Sequence, residues 1–275
     1  LPFNLGLLGL GLMLLAMSRP QSKDSWRDVT HEGIDIVIAM DYSASMLAKD
    51  FKPDRLDAAR DVAMKFIDDR PNDRIGLVVY EGEAFTQCPL TTDHAVLKNL
   101  FLQARTGLIT GGTAIGLGLA TAINRLREST SKSKVNILLT DGMNNAGSIQ
   151  PLAAAQIAQE LGMRVYTIGV GTRGKALSPV AIYPNGQYKY DYVDVDIDDA
   201  MLQKMADMTG GRYFRATDEQ KLRAIYQEID RLEKTRMKVT EHSSRTDEYF
   251  RPLLAGCSQL FLSLFLGSTW LRTTP

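Results

Sequence analysis

Short apolar segments alternate with amphipathic helical patterns through the middle of this chain, and this alternation is the strongest constraint on its fold. The segment at 34–40, IDIVIAM, is apolar apart from one acid, as in a strand buried on both faces of a sheet. Strand character recurs at 75–80, 135–140, 164–170 and 212–216. Helical spacing predicts helices at 55–70, 94–104, 114–128, 151–161 and 199–208, and one more after a capping pattern at 217–220. This alternation predicts an α/β fold, a doubly wound and mostly parallel sheet with helices on both faces.

Both ends of the chain are uncharged and apolar. Residues 1–18 and residues 252–271 contain no charged side chain, and arginines border the second segment. A helix of 18 residues spans about 27 Å, close to the thickness of a bilayer core. We therefore expect a transmembrane helix at each end and one domain at 29–237 between them. The alternatives are a signal peptide at the start, and an amphipathic helix or a disordered tail at the end.

Composition narrows the classes of function. The chain contains 32 basic and 32 acidic residues, so its formal net charge is zero. Without a net positive field to attract phosphates, binding to nucleic acid is not expected. Cys88 and Cys257 are the only cysteines, and Cys257 lies in the second apolar segment. The central domain therefore has one thiol and no internal disulfide.

Small polar and acidic side chains follow the predicted strands at the points where the chain leaves the sheet. Asp41, Ser43 and Ser45 come directly after the first strand. Asp141 follows a later strand, and Thr113 precedes a predicted helix. Loops at the carboxyl ends of parallel strands meet at one edge of the sheet. Because two carboxylates and three hydroxyls suit a hard divalent cation, these five residues are predicted to bind Mg²⁺ or Mn²⁺.

The same residues have a purely structural interpretation. Ser43 and Ser45 are placed to cap a following helix, and Asp141 is placed to begin a turn. The D-x-S-x-S pattern is weak evidence for a metal when it occurs alone. It occurs here together with Gly-Gly-Thr at 111–113 and Thr-Asp-Gly at 140–142, and this combination favours the metal site.

The combined motifs resemble the von Willebrand factor A domain, a Rossmann-like fold, and its metal-ion-dependent adhesion site (MIDAS). The resemblance covers roughly 29–237. The family pattern D-x-S-x-S, then T, then D, matches Asp41, Ser43, Ser45, Thr113 and Asp141. Gly is commoner between the two serines, where this chain has Ala44. The resemblance implies that the site holds a divalent cation and leaves one coordination position for an Asp or Glu of a partner protein.

Shorter motifs narrow the resemblance to the bacterial aerotolerance (Bat) proteins. Arg19-Pro20-Gln21 and the stretch at 73–80 are similar to Bat sequences, and the run at 84–93 is similar to the BatA branch. The resemblance implies a membrane-anchored protein-binding module whose partners are other Bat proteins and a MoxR-type AAA+ ATPase. It also implies the bacterial inner membrane, with the domain in the periplasm. The basic residues beside the apolar segments favour the cytoplasmic side instead.

Two other classes of function compete with this interpretation. A phosphatase with Asp41 as nucleophile would need a second acid two residues later, where this chain has Ser43. A serine hydrolase would need a histidine base, and His31, His94 and His242 all lie outside the predicted site loops. We therefore predict that the protein is not an enzyme. The other alternative is a structural membrane scaffold with an unused metal site.

The segment at 172–198 is too long for an ordinary connection between a strand and a helix. A Pro-Asn-Gly turn signal at 184–186 is followed by alternating tyrosines at 188, 190 and 192. This pattern predicts a β-hairpin inserted in the domain at 172–198.

Overall fold

The computed structural model describes residues 2–18, 21–22, 33–107, 111–184, 186–237, 246–247 and 249–269. The chain divides into two compact units. The larger unit is His31–Met237, and the smaller unit is formed by the two terminal segments, Leu1–Thr30 and Lys238–Pro275.

The described part of the larger unit contains eight strands. They are β1 (Asp35–Asp41), β2 (Arg74–Tyr80), β3 (Ala84–Thr91), β4 (Lys134–Thr140), β5 (Arg164–Val170), β6 (Lys175–Ile182), β7 (Tyr188–Asp194) and β8 (Tyr213–Ala216). Six of these strands form one sheet in the order β3-β2-β1-β4-β5-β8. Every neighbouring pair in it is parallel except β2 and β3, which are antiparallel. The predicted mostly parallel sheet is confirmed.

Six helices cover the two faces of this sheet in the described residues. They are α1 (Arg55–Asp68), α2 (His94–Gln103), α3 (Ile115–Arg127), α4 (Pro151–Glu160), α5 (Asp199–Met208) and α6 (Glu219–Met237). One core cluster includes side chains of α1, α2 and α6, and the other includes side chains of α3, α4 and α5. Helices on both faces explain why the strands are apolar on both sides.

Strand β1 shows how the sequence pattern produces this double burial. Ile36, Ile38 and Met40 point into the core beneath α1, whereas Val37 and Ala39 point into the core beneath α3. All five side chains are buried. Because β1 has β2 on one side and β4 on the other, the strand order reverses between β1 and β4. In sheets of this type, ligands bind at this topological switch point, outside the carboxyl ends of the strands.

The two ends of the larger unit lie at the opposite, amino edge of the sheet. The backbone N–H of Ile34, just before β1, donates to Asp73 Oδ1 at 2.9 Å. Near the other end, the buried Glu233 in α6 is paired with Arg164 at the start of β5. The carboxyl edge of the sheet is therefore on the side away from the points where the chain enters and leaves this unit.

Strands β6 and β7 form a separate antiparallel hairpin within 172–198, with Lys175 opposite Asp194 at its base. The hairpin contacts the loop after β1, because the backbone N–H of Lys49 donates to the carbonyl oxygen of Leu177 at 2.9 Å. This insertion leaves the sheet next to the carboxyl edge, since it follows directly after β5.

The smaller unit is a pair of helices, Pro2–Met17 and Phe250–Thr269, which pack against each other. A Cβ atom added to Gly256 would lie 3.0 Å from the carbonyl oxygen of Gly9, so glycine permits the close approach of the two backbones. Residues Gln21–Ser22 and Thr246–Asp247 pair as a short antiparallel ladder in the same unit.

The expectation of transmembrane helices at 1–18 and 252–271 is not supported by the described residues. Among them, no helix combines the length and the apolarity that a membrane crossing requires. The helices described at the two ends have 16 and 20 residues.

Candidate metal centre

Asp41 is the last residue of β1 and its side chain is held at the centre of the carboxyl edge. Its Oδ1 accepts the backbone N–H of Ser43 at 2.9 Å. Its Oδ2 accepts the hydroxyl of Thr140, the last residue of the neighbouring strand β4, at 2.8 Å. Asp41 is fully buried. These two bonds fix the carboxylate between the ends of adjacent strands.

Two serine hydroxyls continue from Asp41 towards the second acid. Ser43 Oγ lies 3.0 Å from Ser45 Oγ, and the Ser45 hydroxyl donates to Asp141 Oδ1 at 2.7 Å. Because Ser45 has one hydroxyl hydrogen and donates it to Asp141, Ser43 is the donor in the serine pair. A short 3₁₀ helix at Ala44–Leu47 begins here, but the Ser43 side chain makes no capping bond to it. The capping interpretation of Ser43 is therefore wrong.

Thr113 is tied to the loop that follows Asp141. Its backbone N–H donates to Asn145 Oδ1 at 2.7 Å, and its carbonyl oxygen accepts the backbone N–H of Asn145 at 3.1 Å. The Thr113 hydroxyl lies 3.9 Å from the point where a Cβ on Gly142 would be. All five predicted residues therefore lie at one edge of the sheet, with four joined by hydrogen bonds and Thr113 beside them. That they bind a metal stays a prediction.

Sequence reasoning missed two charged residues, Arg55, which contacts this site, and Asp50, which contacts Arg55. Arg55, the first residue of α1, donates from Nη1 to Asp141 Oδ2 at 2.8 Å. Its Nε and Nη2 atoms both donate to the carboxylate of Asp50 at 2.7 Å. The Arg55 side chain is only 2% exposed. The sequence does contain a signal for this contact. An arginine in the first turn of a helix is disfavoured by the helix dipole, so Arg55 is expected to pair with an acid.

Burial and mutual repulsion change the acidity of the site. Burial, and then the negative charge of Asp141, raises the pKa of Asp41 to about 7. Burial also raises the pKa of Asp141, although Arg55 opposes this shift. Burial alone would raise the pKa of Asp50 as well, but hydrogen bonds from Arg55 and Thr172 outweigh it and lower that pKa. Asp41 is therefore a buried acid whose ionised form a nearby positive charge would stabilise.

The charges of the cluster do not balance when its acids are ionised. The cluster contains three carboxyl groups, on Asp41, Asp141 and Asp50, and one guanidinium, that of Arg55, which pairs with Asp50 and Asp141. In the described part of the chain, Asp41 has no basic partner. One divalent cation beside Asp41 and Asp141 would neutralise the two remaining negative charges. The oxygen-only donors fit Mg²⁺ or Mn²⁺ better than a soft metal.

The described residues contain no cluster of three His, Cys, Asp or Glu side chains suited to a metal, so a metal here would depend on the hydroxyls. Nor is a histidine base placed at this edge among those residues. His94 Nε2 lies 3.0 Å from the carbonyl oxygen of Asp73, at the amino edge of the sheet. His31 and His242 lie outside the described residues.

Comparison with known proteins supports the same fold. The family profile described as von Willebrand factor type A domain matches residues 35–228. The crystal structure of the conserved hypothetical protein BatB from Bacteroides thetaiotaomicron is 32% identical, with a TM-score of 0.64 over 74% of this chain and 100% of that one. An aerotolerance-related membrane protein from Bacteroides fragilis is 30% identical, with a TM-score of 0.62 over 72% of this chain and 98% of that one.

A more distant structure is described with a metal in its adhesion site. Proximal thread matrix protein 1 of the mussel byssus, with a zinc-occupied MIDAS motif, is 20% identical and has a TM-score of 0.54. The match covers 72% of this chain and 47% of that one, and it shows the fold alone. Because the family profile spans most of the chain and the Bacteroides relatives agree with it, this chain belongs to the von Willebrand factor type A domain family.

Proposed function

We propose that this protein is a metal-dependent protein-binding module. A divalent cation, held by Asp41, Ser43, Ser45, Thr113 and Asp141, would capture a carboxylate of a partner protein. The observation that carries the proposal is the pair of buried carboxylates at the topological switch point, joined through the Ser43 N–H and the hydroxyls of Ser43 and Ser45. A buried carboxylate without a basic partner is costly unless a cation accompanies it.

The donor set supports a cation that still attracts a further anion. Asp41 and Asp141 are the site's acids, and the three hydroxyls add no charge. Magnesium requires near-octahedral coordination, which five protein groups do not complete. When bound, the ion would supply a Lewis-acid position for an incoming Asp or Glu side chain, while the chain's own residues orient and hold the ion.

The position of the site supports binding of a large partner. Both ends of the larger unit lie at the amino edge, beside Asp73 and Glu233, whereas the candidate site is at the carboxyl edge. Within the larger unit, the site therefore lies at the edge of the sheet opposite the ends of the unit. The hairpin β6–β7 stands beside the site and would face the same partner.

The proposed partners are inferred from the similarity of this chain to the two Bacteroides proteins. The two Bacteroides relatives are described as BatB and as an aerotolerance-related membrane protein. We extend this to a Bat function for the present chain, similar to BatA, with other Bat proteins and a MoxR-type AAA+ ATPase as partners. The description of the Bacteroides fragilis relative supports a location at a membrane, and the Bat resemblance favours the bacterial inner membrane with the domain on the periplasmic side. Protease access to the domain in spheroplasts would test this location.

A capture experiment with the tagged full chain tests the function. Bat proteins or the ATPase should be recovered in Mg²⁺ and lost in EDTA, and Thr113→Ala should lose them in both conditions. If wild type and Thr113→Ala recover these partners equally in Mg²⁺ and in EDTA, the proposal is contradicted and a structural scaffold is favoured. Turnover of a generic phosphate ester that depends on Asp41 would favour a phosphatase.

A further inference from the structure

Arg55 is shared between the candidate metal site and a second acid outside it. One edge of its guanidinium donates two hydrogen bonds of 2.7 Å to Asp50, and Nη1 donates to Asp141 at 2.8 Å. The side chains of Asp50 and Asp141 are 6% and 0% exposed. Because water is excluded from these contacts, the electrostatic interactions within the group are strong.

Asp50 in turn holds the segment from which the hairpin begins. Its Oδ2 accepts the backbone N–H of Thr172 at 2.9 Å and the Thr172 hydroxyl at 3.1 Å. Thr172 lies between the end of β5 and the start of β6. A continuous series of hydrogen bonds therefore leads from Asp141 through Arg55 and Asp50 to the base of the hairpin.

We propose that Asp50 and Arg55 are positioning residues that couple occupancy of the metal site to the conformation of the hairpin β6–β7. The proposal rests on the metal site of the proposed function. It adds that a surface beside the site senses the cation, through residues that do not themselves bind the cation. Coupling between two sites is reciprocal, so a partner that orders the hairpin would also raise the affinity for the metal.

The charges give the direction of the coupling. A cation beside Asp141 repels the Arg55 guanidinium, which strengthens the relative preference of Arg55 for Asp50. Asp50 is then held more firmly against Thr172, and the base of the hairpin becomes more ordered. If Asp50 is neutralised, Arg55 keeps an uncompensated positive charge that Asp141 alone must balance. The site should then bind a divalent cation less tightly.

The test uses Mn²⁺ as the probe and the full chain in three versions: wild type, Asp50→Asn, and the control Asp57→Asn. Asp57 lies on α1, the helix that begins at Arg55, but its side chain is 43% exposed and pairs with Arg60. Calorimetry measures Mn²⁺ affinity, and hydrogen exchange measures the amide of Thr172 and the strands of the hairpin. We expect Asp50→Asn to weaken Mn²⁺ binding at least about fivefold, with Asp57→Asn within about twofold of wild type.

Hydrogen exchange provides the second readout. In wild type and Asp57→Asn, Mn²⁺ should slow exchange at Thr172 at least about threefold, and Asp50→Asn should lose this protection. Thr172→Val, which replaces the hydroxyl with a methyl group and keeps the backbone bond to Asp50, should reduce the protection in part. This variant tests the coupling if Asp50→Asn does not fold. Equal Mn²⁺ affinity and unchanged hairpin exchange in all variants would overturn the coupling while leaving the metal site intact. A wild-type chain that binds no Mn²⁺ would overturn the proposed function and the coupling together.

Discussion

The hydroxyl of Ser45 donates a 2.7 Å hydrogen bond to Asp141 Oδ1, joining two loops that are 96 residues apart in the sequence. With the Ser43–Ser45 contact and the bond from the Ser43 N–H to Asp41, it closes a short path between the two buried acids. These contacts bring together oxygen atoms from the ends of β1 and β4.

Replacing Asp41 with Asn should remove the response to metal without unfolding the protein. Magnesium at about 100 times its Kd stabilises a folded domain by roughly 2.7 kcal/mol, which raises the Tm of a domain of this size by about 5–10 °C. Differential scanning fluorimetry should show this rise for wild type and none for Asp41→Asn. In EDTA at pH 8 the variant should be at least as stable as wild type, because it lacks the unpaired buried charge. A full magnesium response in the variant would refute the assignment of Asp41.

The metal-free protein should become less stable as the pH rises from about 4 to about 7. The pKa of Asp41 is raised from an ordinary value of 3.8 to about 7 in the folded state. Between these values the folded state binds more protons than the unfolded state, so the free energy of unfolding falls as pH increases. Chemical denaturation in EDTA should show this slope as a difference between wild type and Asp41→Asn. The same proton is released on metal binding, so metal affinity should increase with pH up to about 7.

Replacing Thr113 with Val tests the hydroxyl at constant charge and nearly constant shape. The backbone bonds of Thr113 to Asn145 do not involve the hydroxyl, so the fold should be retained. Mn²⁺ affinity should fall about tenfold or more, as is typical when a supporting group of a metal site is removed. Thr130→Val, at an exposed position, is the matched control. Titration calorimetry that gives the same affinity for both variants would show that Thr113 takes no part in the site.

The larger unit should fold without its hairpin. Gly174 accepts the backbone N–H of Val195 at 2.8 Å, so the ends of the deleted segment are already adjacent. Among the described residues of 175–194, only Ala176 is a buried hydrophobic residue, so little of the core is lost. A chain in which two glycines replace 175–194 should unfold cooperatively in circular dichroism, with a modestly lower Tm. Loss of cooperative unfolding would mean that the hairpin is part of the core.

The sequence predicts the central strands well because their apolar pattern has a single interpretation. The predicted strand at 164–170 agrees with β5 at both ends, and the predicted helix at 199–208 agrees with α5. The edge strand β3 is missed, since its one buried residue, Cys88, is surrounded by half-buried and polar positions and its pairing with β2 is irregular. The predicted membrane spans at the two ends are not supported in the described residues, where no helix is both long and apolar enough to cross a membrane.

At the candidate site, the sequence predicts the five candidate ligands but not the ion pairs that surround them. The five candidate ligands were found because the carboxyl ends of parallel strands must share an edge. Arg55 was missed because its partner Asp141 is 86 residues away, and Asp50 because its partner Thr172 is 122 residues away. Such long-range pairings depend on how the loops pack against one another, which the local sequence pattern does not determine. The capping pattern at 217–220 shows a smaller error, since Asp218 rather than Thr217 accepts the N–H of Lys221 at the start of α6.

The central claim is that Asp41 and Asp141 hold a divalent cation together with the three hydroxyls. Anomalous diffraction from crystals grown with Mn²⁺ tests it directly, because the anomalous scattering of manganese shows where the ion is bound. The account predicts one strong peak at the carboxyl edge, within coordination distance of Ser43 and Ser45 and close to both acids, with a further position open to solvent. A structure at high Mn²⁺ concentration with no peak there, or with Arg55 filling the space between the two acids, would contradict the account.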